Sequence, residues 1–235
     1  MPISLRKSAL KLFVFLGYVC VPASAVACFL MTPKSAKSVF FLLFFIFHSL
    51  ERVWETFYTS KEKKAFELHG DWTLAAVTGI YILMCFFSIF EFFFYPRSCH
   101  WGVMLSGLAL YILAFRIRWW GMKALGKQWA IHAVGAQKIK KVRLVKIGPY
   151  KYVRHPIYLG IVIEVISIPL IANAYFSLAF AVLVNVPLQL IRLGLEERNS
   201  FRKFGDVYLR YKQEVSALFP VKYVSRLLSG QNVTG

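Results

Sequence analysis

Acidic residues are scarce in this chain, which has 11 Asp and Glu against 29 Lys and Arg and a net charge of +18 over 235 residues. A basic surplus of this size can indicate binding to nucleic acid. Here the basic residues are confined to the segments between long apolar runs, which is how a membrane protein carries its charge. We therefore exclude a nucleic-acid partner and expect membrane lipids instead.

Cysteine is also sparse, and its spacing excludes several kinds of site. The four cysteines, at positions 20, 28, 85 and 99, form no C-x-x-C pair, and three of them fall inside apolar runs. Small buried side chains are expected at these positions, with neither a disulfide nor a metal centre. The strand-like alternation of a transmembrane barrel is missing as well.

Long apolar runs dominate what remains. Hydrophobic residues make up 58% of the chain, compared with about 45–50% in soluble domains. Residues 74–90 and 101–115 contain no charged side chain, and a helix of about 20 residues crosses a hydrocarbon core. Helices also satisfy their own backbone polar groups in lipid. The sequence therefore predicts an all-α, polytopic membrane helix bundle.

Six spans are predicted, at roughly 9–31, 38–58, 72–95, 101–119, 157–172 and 174–192. The last two form a helical hairpin, because Pro169 and Asn173 interrupt one long apolar stretch. Since 157–172 is short for a full crossing, a helix pair that enters the membrane and turns back is the alternative. We predict spans 1–4 in residues 1–120, a functional region in 121–220 and a short tail in 221–235.

The distribution of Lys and Arg predicts the orientation. With the N-terminus in the cytoplasm, 26 of the 29 basic residues lie on the cytoplasmic side, and Lys34, Lys37 and Arg97 lie on the other. Basic residues favour cytoplasmic segments. Both termini are therefore predicted to be cytoplasmic.

Two cytoplasmic segments flank the predicted hairpin, so the hairpin brings them together at one face of the membrane. The first, residues 148–160, reads G-P-Y-x-Y-V-R-H-P-x-Y-x-G. The second begins at Arg192 with R-x-x-x-E-E, continues as F-G-x-x-Y-x-x-Y to Tyr211, and closes at Pro220.

This ordered set of motifs resembles the signature of the isoprenylcysteine carboxyl methyltransferase family. The resemblance covers about residues 121–220, and phospholipid methyltransferases share a looser version of it. Glu164, Pro169 and Asn185 look like the bacterial branch, some of whose members methylate phenolic lipids. The resemblance implies S-adenosylmethionine as cofactor, a site at the cytoplasmic face, and a lipidic or prenylated methyl acceptor.

Six residues are candidates for binding this cofactor. Adjacent helical residues point about 100° apart, so one of Glu196 and Glu197 should face the cofactor while the other meets an arginine. His155 precedes a proline and should be extended; alone it would be read as a capping histidine, but the resemblance implies contact with the cofactor. The remaining candidates are two tyrosines, preferred over Tyr152, and a glycine that would let the backbone approach: Tyr150, Tyr158 and Gly148.

Three residues are candidates for the catalytic step. Arg154 and Arg192 could pair with a carboxylate in a bidentate geometry, or could simply bind phospholipid headgroups. Glu164 lies inside an apolar span, where a lone carboxylate is costly and marks a functional site by default. It is either a general base or a structural carboxyl bonded to Asn185 or Asn173 across the hairpin. Glu91, and His48 with its neighbours, are interpreted as structural contacts.

The acceptor remains open at this stage, because a prenylcysteine carboxylate needs no base whereas a phenol benefits from one. Carboxyl methylation of the isoprenylcysteine type is favoured over phenolic-lipid or phospholipid methylation. A sterol-type reductase has a similar R-H-P and Tyr-rich C-terminal region, but it would use a nicotinamide cofactor. A lipid-binding or transport protein should show broken spans in both halves, and only the C-terminal half is irregular here. The oligomeric state is not predicted.

The charge asymmetry makes a topology prediction. Cysteines introduced at 34–37 and at 97–100 should react with a membrane-impermeant reagent added from outside, and cysteines at 136–146 should not. Strong external labelling at 136–146 would reverse the orientation.

Overall fold

The computed structural model describes residues 16–59, 72–128 and 143–229. Eight helices form in these ranges, and we number them in chain order as α1 Leu16–Met31, α2 Ala36–Thr59, α3 Trp72–Phe94, α4 Trp101–Leu125, α5 Pro156–Ile171, α6 Tyr175–Phe204, α7 Asp206–Glu214 and α8 Val221–Leu228. One turn of π-helix opens α1 and another lies within α6. No strand occurs in the described ranges, so the predicted all-α class is confirmed.

The first six helices lie where the spans were predicted, but they differ in length and polarity. Helices α3, α4 and α6 are long and apolar enough to cross a membrane, whereas α1 and α5 are shorter apolar helices. Helix α5 has 16 residues, which gives a length of about 24 Å. The six-span topology therefore stays a prediction, and residues 9–15 of the first predicted span lie outside the described residues.

Three predicted boundaries differ from the helices. Helix α4 continues through the predicted boundary at residue 120 to Leu125, and α6 continues past residue 192 to Phe204. The predicted tail contains helix α8. Residues 129–142, which include most of the segment chosen for labelling, lie outside the described residues.

The turn of the α5–α6 hairpin contacts the segment between α3 and α4. Asn173 has a φ of +50°, and its Oδ1 accepts the His100 backbone N–H at 2.8 Å. Arg97 Nη2 donates to the Ala172 carbonyl at 3.1 Å and Nη1 pairs with Glu91 at 2.8 Å. Segments predicted to lie outside the cell therefore meet at one end of the bundle, and Glu91 is structural as predicted.

The core beside this end is aromatic and sulfur-rich. Phe41 of α2 stacks on Phe92 of α3 with ring centroids 4.1 Å apart. Met84, Ile89 and Ile168 are fully buried in the same cluster. A large apolar cluster therefore joins the N-terminal helices to the hairpin.

Helices α4 and α5 approach most closely at glycines. A Cβ atom on Gly107 would lie 2.7 Å from the Ile171 backbone nitrogen, and one on Gly160 would lie 2.9 Å from the Ala114 carbonyl oxygen and against Arg118 Cγ. Small residues permit such close backbone approach between membrane helices. This crossing fixes α5 beside α4, and α5 begins at the proline of the R-H-P motif.

The crossing predicts the effect of one added methyl group. Gly160→Ala should destabilise the bundle by about 1–3 kcal/mol, as expected for overpacking. Gly102→Ala in the same α4–α5 pair is the control, because a Cβ there meets no atom within 4 Å. Thermal unfolding in detergent measures both variants, and equal unfolding temperatures would contradict the tight crossing.

Candidate functional site

The R-H-P segment enters α5 as an extended strand-like stretch. Gly148 has a φ of +61° and opens a 3-10 turn, Gly148–Lys151, in which Pro149 follows it. His155 has φ −128° and ψ 62°, and Pro156 starts α5. A residue before proline is disfavoured in the helical region; His155 is outside that region as expected, but its ψ is lower than that of an extended residue.

The C-terminal segment after α7 pairs with this stretch. The Arg154 backbone N–H donates to the Ser216 carbonyl at 2.8 Å and that of His155 donates to the Ala217 carbonyl at 3.0 Å. Val153 and Ser216 form an isolated parallel bridge. These bonds fix the backbone at both candidate residues.

Arg154 fills the junction between α5, α6 and the segment after α7. Its Nε donates to Glu197 Oε1 at 3.0 Å, and Nη2 contacts the same oxygen. Nη1 donates to the carbonyls of Lys212, at 3.2 Å, and Val215. A buried guanidinium with these partners holds the site together. A direct role toward a substrate or cofactor carboxylate remains a prediction.

Glu197 is surrounded by positive charge. Besides Arg154, its carboxylate lies 3.0 Å from Lys212 Nζ and 3.3 Å from His155 Nε2. The expectation that one carboxylate of the E-E pair meets an arginine therefore agrees with the structure, and Glu197 is that residue.

Glu196 points to a different group of side chains. The Tyr158 hydroxyl forms hydrogen bonds with Glu196 and with Arg192, and Arg192 Nη1 donates to Thr73 Oγ1 at 2.9 Å. Arg192 is 5% exposed. His155 lies edge-on to Tyr158, with ring centroids 5.8 Å apart. The candidate residues thus form two adjacent groups, one around Glu197 and one around Glu196.

Tyrosines from α7 complete the site, and sequence reasoning gave them no role. The Tyr211 hydroxyl donates to the Tyr150 carbonyl at 2.7 Å. Burial, reinforced by the Glu196 carboxylate, raises the pKa of the Tyr150 phenol well above its usual range. Burial and the Glu197 carboxylate raise the pKa of Tyr208 to about 12. These phenols stay protonated at neutral pH.

The sequence held a recognisable pattern for only some of the site residues that the sequence analysis missed. Tyr208 and Tyr211 stand in the quoted F-G-x-x-Y-x-x-Y motif, which did not reveal their partners. Lys212 and Thr73 carried no pattern, because each reaches the site from a helix distant in sequence. The partner of such a residue depends on how the helices pack.

Glu164 lies elsewhere, in a buried ionic cluster between α2, α4 and α5. Its Oε2 contacts Arg118 Nη1, and its Oε1 accepts the Tyr81 hydroxyl at 2.6 Å. Glu164 and Arg118 are each 1% exposed. The expected structural partners Asn173 and Asn185 are wrong: Asn173 bonds His100, and Asn185 Nδ2 lies 3.9 Å from Met84 Sδ.

The α2 residues complete this cluster. Arg118 also pairs with Glu51, and with Glu55 at 3.1 Å. His48 Nδ1 lies 2.7 Å from the Tyr111 hydroxyl, which donates to Glu51 at 3.0 Å. His48 Nε2 lies 2.9 Å from the Tyr81 hydroxyl. His48 is therefore an interhelical contact, as interpreted from the sequence.

Comparison with known proteins agrees with this arrangement of motifs. Residues 107–200 match the family described as isoprenylcysteine carboxyl methyltransferase. The chain is 28% identical to protein-S-isoprenylcysteine O-methyltransferase B of Arabidopsis thaliana over 174 residues, which cover 70% of this chain and 87% of that protein.

Two bacterial relatives match over shorter stretches. Identity to YpbQ of Bacillus subtilis is 33% over 93 residues, 39% of this chain and 54% of that protein. Identity to methanethiol S-methyltransferase 1 of Bradyrhizobium diazoefficiens is 41% over 71 residues, 30% of this chain and 24% of that protein. The chain thus spans about half the length of the first relative and about a quarter of the second.

The apolar helices and these relatives define an α-helical integral membrane protein. The resemblance of residues 107–200 to the isoprenylcysteine carboxyl methyltransferase family is thereby confirmed.

The Glu197 junction makes a stability prediction. Glu197→Ala removes the carboxylate partner of a buried arginine and should lower the free energy of unfolding by about 1.5–3 kcal/mol, the range for hydrogen bonds to charged groups. The control is Glu214→Ala, because Glu214 is an exposed carboxylate at the end of α7. Unfolding of both variants in detergent tests this. A Glu197 variant as stable as the Glu214 variant would show that Arg154 does not depend on Glu197.

Proposed function

We propose that this chain is an integral membrane, S-adenosylmethionine-dependent O-methyltransferase with a lipidic acceptor, and that the favoured acceptor is a carboxylate of the isoprenylcysteine type. One observation carries the proposal. The R-H-P segment, 148–160, and the R-x-x-x-E-E segment of α6 meet through Glu197 and Glu196 at one end of the hairpin, inside the region that matches the family.

The residues at this junction suit the proposed cofactor. When bound, S-adenosylmethionine supplies an electrophilic methyl group on a sulfonium sulfur. Glu197 is already paired with Arg154 and Lys212, so Glu196 is the carboxylate that suits the ammonium group or the ribose hydroxyls. Tyr158 and His155, which lie beside it, offer polar atoms and aromatic surface for the adenosyl group.

Three of the candidate residues then have positioning roles. Glu197 orients His155 and neutralises Arg154, and Arg154 ties the segment 215–217 to the site. Gly148 has a positive φ, and it places the buried Tyr150 beside the hairpin. Holding both reactants in line is the main contribution that a protein can make to a displacement of this kind.

The structure favours an acceptor that needs no base. Glu164 is ion-paired with Arg118 and accepts a hydrogen bond from Tyr81, so these partners account for its burial without a role as a base. Arg192, which is buried and bonded to Tyr158 and Thr73, is the guanidinium best placed to meet an acceptor carboxylate. A carboxylate is already nucleophilic, so alignment suffices.

The lengths of the matches point the same way. Two relatives named for isoprenylcysteine match 70% and 77% of this chain, and two relatives named for methanethiol match 30% and 51%. A phenolic lipid is the second candidate acceptor, and its specific support is Glu164, which is buried within an apolar helix. The cofactor would enter from the cytoplasm and the acceptor from the bilayer.

Transfer of a labelled methyl group tests the function. Purified protein incubated with methyl-labelled S-adenosylmethionine should label a prenylcysteine in a base-labile bond, as expected for a carboxyl methyl ester. His155→Ala and Glu196→Ala should weaken cofactor binding, measured by calorimetry, while the protein remains folded. Glu214→Ala is the matched control. Wild-type binding in both site variants would contradict the assigned site.

Variants of Glu164 distinguish the two acceptors. Glu164→Gln keeps an acceptor for Tyr81 and for Arg118 but loses the charge of the ion pair, so a folded protein of lower stability should retain turnover if the acceptor is a carboxylate. If Glu164 is a general base for a phenol, turnover should fall about 10²–10⁴-fold with unchanged cofactor affinity. Glu164→Leu should destabilise the protein in either case, because it leaves Arg118 without one of its buried partners.

A further inference from the structure

Helix α8 and the residue before its proline expose apolar side chains next to the candidate site. The exposed fractions range from 46% at Val224 to 84% at Leu228, and the full set is Phe219, Val221, Val224, Leu227 and Leu228. We call this set the α8 apolar face. Contiguous exposed apolar surface on a protein marks a binding surface for a membrane or another protein.

The apolar side chains lie on one side of the helix. Val221, Val224 and Leu228 are three and seven residues apart, which places them on one stripe of an α-helix. Ser225 borders that stripe, Lys222 lies about 100° from Val221, and Arg226 lies on the opposite side of the helix. An eight-residue helix with this division is amphipathic, which is typical of helices that lie in the membrane surface.

The opposite side of α8 is fixed to the protein. The Tyr223 ring packs edge-on against Tyr152 with centroids 4.7 Å apart, and Tyr152 contacts Trp120 at 6.0 Å. Lys222 Nζ donates to the carbonyls of Lys212 and Gln213, each at 2.9 Å. The apolar face is therefore presented outward from a helix that is anchored on its other side.

These aromatic contacts identify what covers the apolar face. Trp120 lies near the end of α4, one of the helices apolar enough to cross a membrane, and is 48% exposed. Tryptophan and tyrosine at the end of a span mark the headgroup level of the bilayer. Because α8 packs on Tyr152, which contacts Trp120, it lies at the level of this end of α4.

We propose that α8 is an interfacial helix whose apolar face inserts into the headgroup and acyl boundary of the same bilayer that α4 spans. The inserted helix holds the site at a fixed depth, because the segment before it, 215–217, bonds the backbone of Arg154 and His155. A lipidic acceptor could then reach the site from the bilayer. The placement of α8 does not depend on the reaction.

Spin labels on introduced cysteines test the proposal in the full-length protein. The native Cys20 and Cys99 are replaced by serine, and the protein is reconstituted in vesicles of phosphatidylcholine and phosphatidylglycerol. Labels at Val224 and Leu228 should collide several-fold more often with oxygen, and several-fold less often with a water-soluble nickel chelate, than a label at the exposed Gln213. Equal nickel accessibility at all these positions overturns the proposal.

Protein coverage of the face gives a different result. Low accessibility to both reagents at 224 and 228 would mean that another protein surface, such as a second copy of the chain, covers the face, and this also overturns the proposal. Val224→Asp should move a label at 228 toward water, and Gln213→Asp, the matched charge at an exposed position outside α8, should not. Because these measurements require no methyl transfer, their outcome is independent of the proposed activity.

Discussion

The structure depends on the requirement that charge inside an apolar bundle be paired. Arg118 of α4 and Glu164 of α5 are almost completely buried and contact each other, and Glu51 and Glu55 of α2 pair with the same arginine. Removing one partner of such a group is costly, because the remaining charge stays buried. Tyr81 adds α3 to the cluster through its bond to Glu164. The cluster thus sets how four helices pack. Gly160 is also required, because it lets Arg118 approach the α5 backbone.

The position of the candidate site follows from this packing. Glu164 lies about two turns along α5 from its first residue, so the cluster that holds Glu164 also sets the rotation and height of Pro156 and of His155 before it. Helix α6 returns antiparallel to α5 and brings Arg192, Glu196 and Glu197 to the same end. The two carboxylates point to different neighbours: Glu197 pairs with Arg154 and Lys212, and Glu196 bonds Tyr158. Glu197 therefore has a structural role, and the adjacent Glu196 has the proposed role in cofactor binding.

The proposed methyl transfer poses a problem of access as well as alignment, because its two reactants would come from different phases. The site residues lie at one end of the hairpin, where α6 extends beyond its apolar part and α7 and the segment 215–217 close over the R-H-P motif. Helix α8 continues from that closing segment with its apolar face outward. The same short stretch of chain therefore positions Arg154 and His155 and, in our proposal, meets the lipid. This arrangement would keep the polar site and the bilayer surface at a constant separation.

Much of this could be predicted from the sequence, because the signals were local. Runs of apolar residues predicted the helices, Pro169 and Asn173 predicted the hairpin turn, and Pro156 predicted that His155 lies outside the helical region. The spacing of the two motifs on either side of one hairpin was enough to bring them together. The sequence did not reveal that Arg118 is the partner of Glu164, that Tyr211 and Lys212 serve the site, or that 221–228 is a helix. The pairings depend on how each helix is rotated when it packs, so the sequence alone does not decide which side chains meet. Helix α8 was missed for another reason: it is too short and too basic for hydropathy to distinguish it from a tail.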